Sequence, residues 1–138
     1  MHIILEELRK RLTETQVETP KPREDLSLLN QSLEHYKEAQ KIAHEINDFS
    51  NEAKIYGKIG KVYRQLNDFE QAIGAYKESI KLFSNTSDSS DQLDAFIQLA
   101  EVQESANRMK DAKNSYEEAA TIATHKNNLI KEEPAGES

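Results

Sequence analysis

A 40-residue internal repeat constrains the fold of this chain more than any other feature of its sequence. Tyr36, Tyr76 and Tyr116 are spaced by 40 residues, and each is followed by Lys or Glu, then Glu, then Ala or Ser. Further pairs keep the same register: Phe69 with Met109, Ala72 with Ala112, Tyr56 with Phe96, Ile59 with Leu99, and Gly60 with Ala100. A period of this length is typical of repeat proteins, in which each unit is one supersecondary motif packed on its neighbours.

Within the repeat, apolar residues recur three and four positions apart, which is the spacing of one face of an α-helix. Five such stripes lie between residues 26 and 123, separated by polar segments: Asn47-Asp48, Asn67-Asp68 and residues 84–91. Two pairs have the spacing of a helix N-cap and its capping box: Asp68 with Gln71, and Ser89 with Gln92. No stretch alternates with a period of two over the length of a strand, so the sequence predicts an all-α fold.

The two ends of the chain differ in composition from this helical region. Leu5, Leu8 and Leu12 predict a short amphipathic helix, and Pro20 and Pro22 interrupt the helical pattern after it because proline lacks the backbone N–H. Residues 131–138 have almost no apolar side chain, which predicts a frayed tail. We therefore divide the chain into an N-terminal helix and connector (1–23), a helical repeat domain (24–130) and a flexible acidic tail (131–138).

The residue types in the best-preserved unit, residues 53–86, recur at fixed offsets: Tyr56, Ile59, Gly60, Tyr63, Asn67, Asp68, Phe69, Ala72, Tyr76 and Ser79. This pattern resembles the tetratricopeptide repeat (TPR) family. Residues 93–126 match less completely, because Gln103 stands where an aromatic residue is usual, and residues 24–46 match only the second helix of a unit. The resemblance implies antiparallel helix hairpins stacked as a short right-handed α-solenoid of about six helices, with the first helix of each unit lining a concave groove.

The chain departs from the family in the length of its units. Ser84 and Thr124 stand where the family has a closing proline, so the second helix can extend by a turn. This suits a spacing of 40 residues rather than the usual ~34. Long units of this kind resemble those of kinesin light chains and the vesicle-fusion SNAP adaptors. The first unit lacks its usual first helix, and we hypothesise that residues 2–15 are that helix, displaced upstream.

Composition and charge argue against several classes of function. No apolar run approaches the ~18–20 residues that cross a bilayer, and without cysteine there is no disulfide, zinc thiolate or thiol catalysis. The net charge of −7, concentrated after residue 87, argues against a nucleic-acid-binding surface. The histidines do not pair at ligand spacing, and no nucleophile motif or phosphate-binding glycine loop occurs. We expect no enzymatic activity, metal or cofactor, no membrane insertion, and a cytoplasmic location.

A basic row on the helix before Asn67 is the strongest candidate interaction surface. Its members are spaced by four, three and three residues, which places them on one helix face: Lys54, Lys58, Lys61 and Arg64. The equivalent row one repeat later is mostly acidic: Asp94, Gln98, Glu101 and Glu104. The resemblance implies that both rows face the groove. On one interpretation the charges of the two rows compensate each other across adjacent helices, or the rows are simply solvated. On the other, they form a basic and an acidic wall of a peptide-binding groove.

Gly57 lies on the groove side of the same helix, where glycine costs about 1 kcal/mol relative to alanine. Close approach of a ligand is one explanation for a glycine at this position, and chance is another. The offsets that hold the Lys and Asn residues of chaperone-binding carboxylate clamps are occupied here by Gly57, Lys61 and Gln98, so that clamp is absent. We expect a non-catalytic scaffold or adaptor that binds a peptide or helix of a protein partner in the groove. The alternative is a structural homo-oligomer that associates through exposed terminal helices.

The low content of large apolar residues also agrees with a repeat stack. Leu, Ile, Val and Phe make up 22% of the chain, close to the ~20% below which charged chains are usually disordered. A thin stack has less interior to fill than a globule of equal length. The sequence therefore predicts a core built mainly from alanine and tyrosine.

Overall fold

The fold consists of consecutive α-helices. The computed structural model describes residues 6–7, 23–86 and 89–137. Its helices are α1 (Arg23–Glu45), α2 (Phe49–Gln65), α3 (Phe69–Phe83), α4 (Ser89–Ser105) and α5 (Met109–Glu137). This confirms the predicted all-α, TPR-like fold. The hypothesised helix over residues 2–15 lies outside the described residues, except that Glu6 and Glu7 are helical.

Each helix packs against the next one along the chain. Three residues separate α1 from α2, α2 from α3, and α4 from α5, and such short links join antiparallel helices into hairpins. The repeat therefore consists of hairpin α2–α3 and hairpin α4–α5, preceded by α1. In this arrangement α2 and α4 are the first helices of successive hairpins, which positions them on the same side of the stack.

An asparagine in the left-handed conformation ends the helix at each three-residue link. The φ angles of Asn47, Asn67 and Asn107 are 58°, 61° and 66°. Asparagine tolerates this conformation better than most residues because its side chain can bond locally. These three positions allow the sharp reversal that each hairpin needs.

The predicted N-cap at Asp68 is confirmed in part. Its side chain accepts a hydrogen bond from the Gln71 backbone N–H at 3.4 Å, which satisfies one free donor at the start of α3. The Asp68 N–H donates instead to the Tyr63 carbonyl at 2.8 Å, so the N–H that a capping box would bind is already used. The capping role predicted for Ser89 stays a prediction, because α4 begins at this residue and residues 87–88 lie outside the described part of the chain.

The core is rich in alanine, as predicted, but the tyrosine part of that prediction is wrong, because only Tyr76 of the five tyrosines is buried. Among the described residues, eight of the sixteen buried hydrophobic residues are alanines. One cluster joins α3 to α4 and contains Ala72, Ile73, Tyr76, Leu99 and Val102. A second joins α1, α2 and α3 and contains Leu33, Ile59, Val62 and Ala75. Each cluster spans a boundary between neighbouring units, so stacking rather than a central globule holds the chain together.

A buried carboxylate connects α1 to α2. Glu52 is 3% exposed, and its Oε2 accepts a hydrogen bond from Gln40 Nε2 at 2.8 Å. The Nδ1 atom of His44 lies 3.2 Å from the same oxygen. A buried carboxylate without partners would strongly destabilise the fold, so these two contacts fix the register of α1 on α2.

The segment 131–137, for which the sequence predicts a frayed tail, is described as helix. It continues α5 to Glu137, and Pro134 lies inside that helix. A proline within a helix removes one backbone donor, while the turns on either side keep theirs. The predicted flexibility of the segment 131–138 stays a prediction.

Candidate functional site

The groove between α2 and α4 contains a pocket of about 300 Å³, with residues of α3 beneath it. The first helices of neighbouring hairpins form its two sides, as expected for a concave groove. The lining residues come from all three helices: Lys54, Gly57, Lys58 and Lys61 from α2, Tyr76, Ser79 and Phe83 from α3, and Asp91, Asp94, Ala95 and Gln98 from α4. We call this pocket the groove pocket.

The α2 side of the groove pocket is basic. Lys54, Lys58 and Lys61 line it, and all three side chains are exposed. Their spacing of four and three residues keeps them on one face of the helix, which is the face beside the core stripe. At neutral pH three positive charges therefore line one side of a concave surface.

The α4 side of the groove pocket is acidic. Asp91 and Asp94 are three residues apart in the first two turns of α4, and both line the pocket. At the start of a helix, carboxylates are also favoured by the positive end of the helix dipole. The two carboxylates thus stabilise the helix and give this wall its negative charge.

The two walls do not neutralise each other through direct contacts. Within residues 23–86 and 89–137, no ion pair with a separation of 4.0 Å or less joins the lysines of α2 to the carboxylates of α4. The two walls are therefore not joined by direct ion pairs. Compensation of their charges over longer distances, solvation and ligand binding all stay predictions.

The floor of the pocket is formed by α3. Ser79 Oγ donates a hydrogen bond to the Ala53 carbonyl at 2.7 Å, which ties α3 to α2. Tyr76 is 1% exposed, and its hydroxyl oxygen is buried without a hydrogen-bond partner. Burial raises the pKa of Tyr76 to about 12, so the phenol is neutral at all physiological pH values.

Gly57 leaves space in the α2 wall. A Cβ atom built on it would have Ser79 Oγ, at 3.9 Å, as its nearest neighbour, which is an ordinary van der Waals distance. Internal packing therefore does not require glycine here. Gly60, one turn further along, differs because a Cβ atom there would lie 2.9 Å from two ring carbons of Tyr76.

Six of the eight residues predicted from sequence line the groove pocket: Lys54, Gly57, Lys58, Lys61, Asp94 and Gln98. Arg64 and Glu101 do not line it. Both act electrostatically on Tyr76, since Arg64 lowers the pKa of its hydroxyl and Glu101 raises it. They also influence Tyr116, so these two side chains lie towards the tyrosines of α3 and α5.

Tyr116 is the counterpart of Tyr76 one repeat later, but its surroundings differ. Its hydroxyl donates a hydrogen bond to Glu104 Oε1, and this bond is the main reason that the pKa of Tyr116 rises to about 12. Tyr116 is 39% exposed. No described helix covers it in the way that α4 covers Tyr76.

Sequence reasoning missed the floor of the pocket and Asp91. Asp91 lies in the first turn of α4, where the helix dipole also favours a carboxylate. Its spacing of three residues from Asp94 was the available signal, because it places both side chains on one face. Tyr76 and Ser79 were recognised as repeat positions, but the place of these residues and Phe83 under the groove follows from how α3 packs beneath α2 and α4.

The described part of the chain contains neither a cluster of metal-ligand side chains nor a membrane-spanning helix. In residues 6–7, 23–86 and 89–137, no three histidine, aspartate or glutamate side chains come together as metal ligands. No described helix is long and apolar enough to cross a membrane.

Comparison with protein families decides the classification. The family model described as "Soluble NSF attachment protein, SNAP" matches residues 19–133. The chain belongs to the SNAP family. Membership confirms the predicted resemblance to adaptors built from long TPR-like units. The match includes α1 to α4 and most of α5, so the groove between α2 and α4 lies within the SNAP region.

Several chains in solved structures are similar to this one. The crystal structure of BtubC (BKLC) from P. vanneervenii has a TM-score of 0.38 and 19% sequence identity to this SNAP-family chain. The alignment covers 73% of this chain and 59% of that one. The comparison with curated proteins returned no match.

Proposed function

We propose that this chain is a non-catalytic protein-interaction adaptor that binds a peptide or helix of a protein partner between α2 and α4. The observation that carries the proposal is the groove pocket, which has three lysines on one side, two aspartates on the other and no ion pair between them. Membership of the SNAP family supports the adaptor role. TPR-like stacks create extended concave surfaces of this kind from the first helices of their hairpins.

Charged groove walls favour recognition of a protein segment. Complementary charges steer association and select among partners, while side-chain contacts in the groove fix the register of the bound segment. The family name describes attachment to NSF, so an NSF protein is the first partner to test. The proposed location of this interaction is the cytoplasm.

Exposed apolar residues at both ends favour a second candidate function, self-association into a structural homo-oligomer. On α1, Leu28 is 59% exposed, and on α5 Met109 is 58% exposed. Exposed faces at the ends of a repeat stack are where a further unit or a second copy packs. Light scattering across a range of protein concentrations distinguishes the two functions, because a monomer at all concentrations contradicts the oligomer.

Reversing the charge of the basic wall tests the groove. The double substitution Lys58→Glu/Lys61→Glu is expected to weaken binding of the partner by at least about tenfold, since it replaces two attractive contacts by repulsive ones. The measurement is a quantitative pull-down with NSF as the first bait, followed by titration of each captured protein.

A matched variant controls for net charge. Lys110→Glu/Lys113→Glu makes the same change at two exposed positions of α5 outside the groove and is expected to bind as the unsubstituted protein does. Identical partners and affinities for all three proteins would contradict binding in this groove.

A further inference from the structure

We infer that the segment bound in the groove carries charges of both signs, with acidic side chains against the lysines of α2 and basic side chains against the aspartates of α4. This inference rests on the proposed function and adds the chemistry of the partner. One side chain of the segment enters the groove pocket beside Gly57. The relevant charges are Lys54, Lys58, Lys61, Asp91 and Asp94.

Among the described residues, neither wall of the groove pocket is paired with the other, so the charges of both are available to a bound segment. A ligand of one sign would be attracted by one wall and repelled by the other. A segment with an acidic and a basic edge gains from both, and its contacts are screened less in a concave site than on an open surface. Because the walls belong to different helices, the bound segment also has a defined orientation across the groove.

Walls of opposite charge also disfavour two other classes of ligand. A nucleic acid or an anionic lipid surface presents only negative charge, which Asp91 and Asp94 oppose within the same pocket. The net charge of −7 adds to that repulsion at longer range. A protein segment with mixed charge is therefore the occupant that the groove fits best.

Gly57 in the α2 wall makes room for a side chain of the bound segment. A helix-interior glycine costs about 1 kcal/mol relative to alanine, and nothing in the packing around Gly57 requires it. The residue one repeat later is Ile97. Omitting a side chain at position 57 leaves the pocket open above Ser79, and its volume of about 300 Å³ is at the lower end for binding clefts.

A charge-swap experiment tests the polarity of the partner directly. The probe is a short alanine-based helical peptide with adjoining stripes of Glu and Lys, compared with peptides of equal length that carry only Glu or only Lys. Their affinities are measured by fluorescence anisotropy for the unsubstituted protein and for three variants. The three variants reverse the charge of the basic wall (Lys58→Glu/Lys61→Glu), of the acidic wall (Asp91→Lys/Asp94→Lys), or of both walls.

The two-stripe peptide is expected to bind the unsubstituted protein most tightly and to lose at least about tenfold in affinity when either wall is reversed. Reversing both walls is expected to restore binding to within about threefold, because the peptide can bind turned around and the net charge is unchanged. Failure of the two-stripe peptide to bind, equal binding of a single-sign peptide, or no recovery in the fourfold variant would overturn the inference.

The substitution Gly57→Leu tests the role of the groove pocket, because the new side chain fills it. The matched control is Gly74→Leu, at a helical glycine where, apart from the neighbouring backbone of α3, no atom lies within 4 Å of a Cβ position. Gly57→Leu is expected to lower the affinity for the two-stripe peptide by about tenfold. The stability of the protein is not expected to fall, because leucine favours helix. Gly74→Leu is expected to leave binding unchanged. Equal affinities for both variants would overturn the role of the pocket.

Binding in the groove and the mixed charge of the bound segment can be contradicted separately. If the groove variants lose the natural partner while the all-Glu peptide binds best, the groove is correct and the mixed polarity is wrong. If every groove variant binds both the partner and the peptides as the unsubstituted protein does, the proposed function fails as well.

Discussion

Replacing Tyr76 by alanine is expected to lower the free energy of unfolding by about 3–5 kcal/mol, the range found for large aromatic residues in cores. The ring is 1% exposed and packs in the cluster with Ile73, Leu99 and Val102. It therefore holds hairpin α2–α3 against hairpin α4–α5. Removing it leaves a cavity at the one boundary between the two complete units, and chemical denaturation measures the loss.

Two matched variants separate this packing effect from other roles of the residue. Tyr116→Ala removes the equivalent side chain where it is 39% exposed, and a loss of less than about 1 kcal/mol is expected because little packing is lost. Tyr76→Phe is expected to be neutral or stabilising, since the Tyr76 hydroxyl is buried without a partner. Equal losses for Tyr76→Ala and Tyr116→Ala would contradict the stacking account.

Gly60→Ala is expected to destabilise the fold by about 1–3 kcal/mol, the usual effect of overpacking a core. The new Cβ atom would lie 2.9 Å from Cε1 and Cζ of Tyr76. That ring is fully buried, so it cannot move aside without disturbing the next hairpin. The clash outweighs the gain of about 1 kcal/mol that alanine normally brings to a helix.

Gly74→Ala is the control for helix propensity. Apart from the neighbouring backbone of α3 itself, no atom lies within 4 Å of a Cβ built at Gly74, so this change is expected to raise stability by up to about 1 kcal/mol. The same denaturation experiment measures both variants. An increase in stability for both would show that the close approach of Gly60 and Tyr76 is not needed.

The repeat register explains why these packing positions could be predicted from the sequence. Tyr76, Gly60 and Ala72 each have a similar residue 40 positions later, and small residues recurring opposite an aromatic residue indicate where two helices approach closely. The capping role of Asp68 was predictable for a local reason, because it depends only on a residue three positions away.

The candidate site could be predicted less completely because it depends on how the units stack. Arg64 is ten residues beyond Lys54, and at 100° per residue it lies about 80° away around the helix, which turns it towards Tyr76 and Tyr116 rather than the pocket. Glu101 is equivalent to Lys61 in the repeat, but the pocket lies on opposite sides of the two helices that carry them. Spacing along one helix does not reveal this difference.

Mapping the bound peptide by NMR tests most directly whether the groove between α2 and α4 is the binding surface. The ¹⁵N-labelled protein is titrated with the two-stripe peptide, and the backbone amide shifts are followed residue by residue. Binding in the groove predicts that the largest changes cluster at residues 54–61 of α2 and 91–98 of α4, around the groove pocket. Changes concentrated on the outer faces of α1 or α5, with the groove amides unmoved, would contradict it.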